Sequence, residues 1–199
     1  IKIDVVTAVN FNFACKDKKK NIATLIEKIN NERKVHIVTL EDTIEYKYVN
    51  KKALIHQREV GSDTTFFASG LRSALRQDPD VILVGELREQ ETIAATLTAA
   101  ETGHLVFATL HTNDVTGAIT RILDSFDEGQ QLIRSQLAEV LEAIVCQELL
   151  LRADGNDRAS LYWPEIMPFS KPTTLIKSSH SRLSMRCHSV TTPSSVIER

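Results

Sequence analysis

The stretch RQDPDVILVGELREQETIAATLTAAETGHLVFATLHT, residues 76–112, decides the fold class of this chain. Two apolar runs in it, 81–84 and 104–109, have the length and character of strands buried on both faces. The residues between them, 90–102, predict a helix that ends at Gly103, because glycine is preferred just beyond a helix. Strand, helix and strand in this order predict neighbouring parallel strands.

Polar residues follow three of the predicted strands directly. Gly85-Glu86 follows the first strand of this stretch, His111 the second, and Glu41-Asp42 the earlier strand 35–40. The carboxyl ends of parallel strands meet at one edge of a sheet, where α/β proteins bind ligands. We therefore expect three carboxylates and one imidazole to lie together there, with ordinary exposed polar groups as the alternative.

The rest of the chain adds further elements to this α/β pattern. Ser62-Asp63 predicts a helix cap, and alternation around Asn50-Lys51-Lys52 predicts a β-hairpin inserted over 44–59. The prediction is a mostly parallel sheet flanked by helices, with helices over 21–31, 64–76, 115–124 and 128–151, a weak strand over 3–7, and a final strand over 159–166.

The composition is that of a globular domain. With 199 residues, 42% of them hydrophobic and 25% charged, the chain is long enough for one well-cored domain. Its net charge of −2 argues against a protein whose main task is coating nucleic acid. No window resembles a transmembrane span or a signal peptide. The three cysteines, Cys15, Cys146 and Cys187, form no CxxC pair, which indicates free thiols and no structural zinc.

The last part of the chain, residues 168–199, differs in composition. It is rich in Ser, Thr and Pro, and its only acidic residue is Glu198. We predict a core over 1–167 followed by a divergent, disordered tail. A change of reading frame and natural divergence both remain explanations for this tail.

Three motifs resemble those of the secretion and type IV pilus ATPases. Residues 78–88, DPDVILVGELR, resemble their Walker B motif, residues 97–112, LTAAETGHLVFATLHT, their His box, and residues 39–46, TLEDTIEY, their Asp box. The motifs follow in the family's order between about residues 21 and 167, and the pilus retraction branch is the most similar. The resemblance implies a RecA-like P-loop NTPase core that binds ATP and Mg²⁺ and hydrolyses ATP.

The resemblance also assigns roles to the expected site. Glu41 would orient or deprotonate the attacking water, Glu86 would hold Mg²⁺ through water or activate the nucleophile, and His111 would sense the γ-phosphate. Asp42 would support the magnesium shell. Two acids on neighbouring strands repel each other unless a cation lies between them, which favours Mg²⁺.

Other basic residues complete the expected nucleotide site. Lys18 is in register with the family's phosphate-binding lysine, and His104 and Arg76 are assigned to nucleotide binding. For His104, support of the sheet or of a subunit contact is the alternative. Candidates for the arginine that neutralises transition-state charge are Arg72, Arg76, Arg88 and Arg121.

The segment aligned with the family's phosphate-binding loop, residues 12–19, departs from the pattern GxxxxGK(S/T). It contains no glycine, Asp17 adds negative charge, and Lys19 replaces the hydroxyl that would bind Mg²⁺. Since each charge-assisted hydrogen bond contributes ~1.5–3 kcal/mol, we predict weak or absent ATP binding. The alternative function is a catalytically inactive remnant or pseudo-ATPase interaction module. A third possibility, nucleic-acid translocation, is supported only by the lysines near residues 16–20.

The resemblance finally implies an assembly and a location. The family's motors are rings of six copies that act in the cytoplasm on an inner-membrane pilus or secretion platform protein, without direct contact to nucleic acid. Their N-terminal domain has no counterpart here, so we expect the chain to be a fragment. The absence of a four-cysteine zinc module favours the retraction branch.

Overall fold

The computed structural model describes residues 5–10, 18–112, 114–151, 158–166 and 197–198. Its helices are α1 (Lys18–Glu32), α2 (Phe67–Ala74, followed by a 3-10 turn at Leu75–Gln77), α3 (Gln90–Glu101), α4 (Val115–Asp124) and α5 (Gln130–Val140). Its strands are β1 (Val5–Asn10), β2 (His36–Glu41), β3 (Tyr46–Lys47), β4 (Leu54–Glu59), β5 (Val81–Val84), β6 (Leu105–His111), β7 (Leu141–Leu151), β8 (Arg158–Ile166) and β9 (Ile197–Glu198).

The main sheet of the described residues has the strand order β4-β2-β5-β6-β1-β7-β8. Its neighbouring strands pair in parallel from β4 to β7, and only β8 pairs antiparallel, with β7. This confirms the predicted mostly parallel α/β sheet. None of the helices in the described part of the chain is long and apolar enough to cross a bilayer.

Helices cover both faces of the sheet, because side chains alternate between the faces along each strand. Ile82 and Val84 of β5 belong to a core cluster that contains residues of α2 to α5, whereas Val81 and Leu83 belong to a second cluster with Ile22 and other residues of α1. The central strands are therefore buried on both faces, as their continuous apolar runs predict.

The predicted hairpin over 44–59 is wrong. Strand β4 joins the main sheet and pairs in parallel with β2, from His36 opposite Leu54 to Glu41 opposite Glu59. Asn30 of α1 explains the path of the connection: its side chain accepts the Lys51 N–H at 3.0 Å and donates to the carbonyl of Val49 at 2.8 Å. These tertiary hydrogen bonds hold the connection against α1, and β3 pairs instead with β9.

The predicted long helix over 128–151 is also wrong in its second half. Helix α5 ends at Val140, and Leu141 is already extended, with φ −75° and ψ 116°. The following apolar run forms β7 between β1 and β8, whose ladders satisfy its backbone groups. A continuous apolar run suits a buried helix and a buried strand equally, and the sheet partners decide between them.

Two further predictions concern the starts of helices α2 and α1. The helix expected over 64–76 begins at Phe67, because the Asp63 carboxylate accepts the N–H of Glu59 at 2.8 Å instead of capping a helix. Lys18 and Lys19 open α1. The remainder of the predicted loop 12–19, the turn 154–157 and the predicted tail, apart from β9, lie outside the described residues.

Candidate active site

The ends of β2 and β5 approach each other closely at Gly85. The Gly85 N–H donates to the Leu40 carbonyl oxygen at 2.7 Å. A Cβ atom at Gly85 would lie 3.0 Å from that oxygen and 3.2 Å from the Cα atom of Glu41. The glycine is therefore needed for close backbone approach, which places the residue before Glu86 against the base of Glu41.

Strand β6 holds Gly85 and Leu87, the two neighbours of Glu86, from the other side. The Thr109 hydroxyl donates to the carbonyl of Gly85, and the Leu87 N–H donates to the carbonyl of Thr109 at 2.9 Å. Glu86 is thus fixed between two strand ends through the hydrogen bonds of its neighbours Gly85 and Leu87, and its carboxylate lies at the carboxyl edge that also carries His111.

Glu86 and His111 lie in direct contact, as the sequence predicts. The distance from Oε1 of Glu86 to Nε2 of His111 is 3.3 Å. The Glu86 side chain is 11% exposed and that of His111 47%, so the acid lies at the base of the site and the imidazole at its mouth. The imidazole is therefore accessible to solvent, whereas the carboxylate is largely shielded from it.

Among the described residues, Arg88 is a cation that interacts with both acids, Glu86 and Asp42. Its Nε atom lies 2.6 Å from Oε1 of Glu86. The hydrogen bond and the charge of Glu86 raise the pKa of Arg88, and the charge of Asp42 adds to this effect. Arg88 therefore provides part of the positive charge that the acids Glu86 and Asp42 require. The sequence names this arginine only as one of four candidates.

Glu41 is a buried carboxylate held by two side-chain donors. It is 5% exposed, and its Oε1 atom accepts from Thr39 Oγ1 at 2.8 Å and from Gln57 Nε2 at 3.2 Å. The sequence reasoning missed both donors. The spacing of Thr39 from Glu41, which puts both on one face of β2, could have indicated the first. Gln57 could not be found without the register between β2 and β4.

An open groove adjoins the site on the side of α4. It has a volume of about 680 Å³, and Arg88, His111, Asp114 and Arg121 contribute to its lining. The Arg121 guanidinium donates to the carbonyl of His111 at 3.2 Å, and the Asp114 side chain caps α4 at the N–H of Gly117. The groove thus combines charges of both signs next to the Glu86–His111 contact.

Comparison with known proteins identifies the family. The model of the type II/IV secretion system protein family matches residues 18–191. The chain belongs to this family. The matched range includes residues 168–191, beyond the stretch that carries the three motifs.

Two curated secretion-family relatives are about half identical to the matched part of the chain. A twitching motility protein of Neisseria gonorrhoeae is 51% identical over 144 residues, which are 72% of this chain and 38% of the relative. The type IV pilus retraction ATPase PilT of Pseudomonas aeruginosa is 48% identical over 140 residues, which are 70% of this chain and 41% of the relative. The chain thus spans about two fifths of the length of these relatives.

A solved structure confirms the RecA-like fold. The crystal structure of the pilus retraction motor PilT with bound ADP superposes with a TM-score of 0.78 at 44% sequence identity. The superposition covers 88% of this chain and 49% of that one.

Within this secretion-ATPase fold, the remaining predicted residues divide between two edges of the sheet. Lys18 is the first residue of α1, and β1, which precedes it, ends with Asn10 opposite His111. Strand β1 therefore ends at the edge that carries the candidate site.

His104 and Arg76 lie at the opposite, amino edge. His104 precedes β6, and its Nδ1 atom lies 2.9 Å from the carbonyl oxygen of Ala99. Since His111 lies seven positions further along an extended strand, the two histidines are about 23 Å apart. Arg76 is exposed in the 3-10 turn before β5. The structure does not bring these two residues together with Glu86.

The acids at the carboxyl edge suit magnesium. Mg²⁺ prefers oxygen ligands and is usually bound by one or two carboxylates, with water and phosphate oxygens completing its shell. Glu86 and the exposed Asp42 provide such carboxylates on neighbouring strand ends. Among the described residues, no group of three or more His, Cys, Asp or Glu side chains could hold a metal alone. The two carboxylates themselves fit the one or two acidic ligands that Mg²⁺ takes from a protein.

Proposed function

We propose that the chain is the ATP-hydrolysing core of a type IV pilus retraction motor or a related secretion ATPase. The observation that carries this proposal is the Glu86–His111 contact at the sheet edge that also holds Glu41. The similarity to a pilus retraction ATPase supports the same function.

Glu41 is proposed as the group that orients or deprotonates the attacking water. A general base must lie within hydrogen-bond reach of the proton that it takes, and its orientation must be fixed. Donation from Thr39 and Gln57 to the Glu41 carboxylate supports this role.

Glu86 and Asp42 are proposed to hold Mg²⁺, which neutralises phosphate charge when it is bound. Arg88 would share Glu86 with that ion, and its position beside the groove suits a cation that stabilises the transferred phosphoryl group. His111 would donate to the γ-phosphate, and Lys18 would contact the phosphates from the start of α1.

Arg76 and His104 need a different geometry for the nucleotide-binding role that the resemblance implies. Since both lie at the amino edge, we propose that any contact to a nucleotide is made across the interface to another copy of the chain. Within one copy, the hydrogen bonds of His104 to Ala99 and Thr102 support a role in the sheet.

The proposed assembly is a ring of six copies in the cytoplasm that acts on an inner-membrane platform protein. The family membership supports it. Light scattering of the chain with and without a nucleotide analogue tests the ring.

The predicted division into a core over 1–167 and a tail over 168–199 is a proposal as well.

The glycine-free segment 12–19 favours a second function, a pseudo-ATPase interaction module of the same ring. Titration of the chain with fluorescent ATP and Mg²⁺ separates the two. A micromolar dissociation constant supports the ATPase, whereas no binding supports the interaction module.

Hydrolysis is tested in the chain and in a variant with GxxxxGK(S/T) grafted onto residues 12–19. We expect Glu86→Gln to abolish turnover in whichever protein hydrolyses ATP, because the amide keeps the shape of the acid and loses its charge. Unchanged turnover in Glu86→Gln would refute the proposed site.

A further inference from the structure

We infer that Gln57 is a positioning residue that orients the carboxylate of Glu41 for the attacking water. The inference rests on the proposed function, since it concerns how the proposed general base is held. The residue lies on β4, the edge strand of the main sheet, directly opposite Thr39 of β2.

Two donors converge on one oxygen of the buried base. Oε1 of Glu41 accepts from the Thr39 hydroxyl at 2.8 Å and from the Gln57 amide at 3.2 Å. Donors on two strands restrict rotation of the carboxyl plane, because turning it would break both hydrogen bonds.

The amide of Gln57 is itself oriented by the backbone. Its Oε1 atom accepts the N–H of Tyr48 at 2.9 Å, and its Nε2 atom also donates to the carbonyl of Tyr46 at 2.7 Å. The backbone donor and acceptor assign the two ends of the amide, so the NH₂ group must face Glu41. A glutamate at position 57 could keep the contact to the Tyr48 N–H but not those to Tyr46 and Glu41, because an ionised carboxylate only accepts.

The segment that orients Gln57 is anchored to α1. Lys51 forms an ion pair with Glu27, which is fully buried, and the side chain of Asn30 donates to the carbonyl of Val49. Burial raises the pKa of Tyr48, with the charges of Glu41 and Glu27 as further causes, so Tyr48 lies near both acids. Gln57 therefore connects the proposed base to a segment that is itself bonded to α1, rather than only filling an edge of the sheet.

The first experiment uses the whole chain and needs no nucleotide. Carbon-13 NMR of labelled glutamate side chains at one neutral pH reports the carboxyl chemical shift of Glu41, which is assigned with Glu41→Gln. In Gln57→Met, which keeps the volume and loses the donor, we expect this carboxyl signal to shift. Gln131→Leu, a change of an exposed residue in α5, is the control and should leave the signal unchanged.

Thr39 provides a second route if Gln57→Met does not fold. Thr39→Val should likewise shift the carboxyl signal of Glu41, and Thr39→Ser, which restores a hydroxyl, should return it to the wild-type position. An unchanged Glu41 signal in folded Gln57→Met, or in Thr39→Val where Gln57→Met fails to fold, overturns the inference.

The second experiment is a double-mutant cycle in the protein that hydrolyses ATP. Gln57→Met should lower kcat about tenfold, as expected for a misplaced catalytic group, with KM for ATP unchanged. The same change in a Glu41→Gln background should cause no further loss, whereas equal losses in both backgrounds overturn the inference. If Glu41→Gln hydrolyses ATP like the wild type, the proposed function fails, while the carboxyl NMR signal of Glu41 still decides the placement of Gln57.

Discussion

Nε of Arg88 lies 2.6 Å from Oε1 of Glu86, the acid to which the family resemblance assigns magnesium. The same arginine is influenced by Asp42, so one guanidinium serves both acids of the expected metal site. Its position opposes the binding of a second cation and at the same time provides a positive charge beside the groove. Arg88 should therefore weaken the binding of Mg²⁺ and increase the rate of turnover, so the two effects can be measured separately.

Arg88→Ala should therefore lower the Mg²⁺ concentration needed for half-maximal hydrolysis while it lowers maximal turnover. We expect each change to be about tenfold, the size of the effect of one nearby charge. Initial rates measured against Mg²⁺ at saturating ATP check both. Arg134→Ala is the control, because Arg134 is an exposed residue of α5 outside the proposed site and should change neither quantity. A higher Mg²⁺ requirement in Arg88→Ala would contradict the competition between Arg88 and the ion.

His111→Ala and His104→Ala should have different effects, because the two residues lie at opposite edges of the sheet. Loss of the His111 donor should reduce turnover by ~10²-fold and leave the free energy of unfolding almost unchanged. Loss of His104 removes its hydrogen bonds to Ala99 and Thr102, which should cost about 1 kcal/mol of stability. Thermal melts and hydrolysis rates of both variants provide the measurement, and the reverse pattern would show that the assignment of the ligand edge is wrong.

Gly85→Ala should destabilise the fold and disturb the site together. The added methyl group would meet the carbonyl of Leu40 at 3.0 Å, and backbone atoms on that side have little room to move. We expect a loss of about 1–3 kcal/mol in urea unfolding, the usual cost of overpacking, and a lower turnover because Glu41 shifts. Gly61→Ala is a useful comparison: a Cβ there meets nothing within 4 Å, so its φ of +92° costs stability without an effect on turnover.

Tyr48 should make the stability of the chain decrease at alkaline pH. Burial raises its pKa in the folded state, so the unfolded tyrosine, with a pKa of about 10, loses its proton first. This contribution to stability is complete below pH of about 10 and is lost as the pH rises above it. The free energy of unfolding, measured from pH 8 to 11, should therefore fall less steeply in Tyr48→Phe. Equal slopes in the two proteins would show that Tyr48 ionises equally in both states.

Much of the candidate site could be predicted from the order of strands and polar residues. Glu41, Glu86 and His111 each end or directly follow a buried run, and parallel strands bring their carboxyl ends to one edge. Arg88 could be named from the sequence but not ranked, because its role depends on a side-chain contact. Gln57 could not be named at all, since its distance from Glu41 depends on the pairing of β2 with β4.

The sequence by itself determined the central strand–helix–strand unit, because burial on both faces and a glycine helix end are local patterns. Only the tertiary structure decided that 54–59 is an edge strand and that 141–151 is a strand, not a helix. The physical reason is the same in both cases. Apolar and alternating patterns indicate which side chains avoid water. The partners of the backbone hydrogen bonds come from distant parts of the chain: Asn30 for the connection before β4, and β1 for β7.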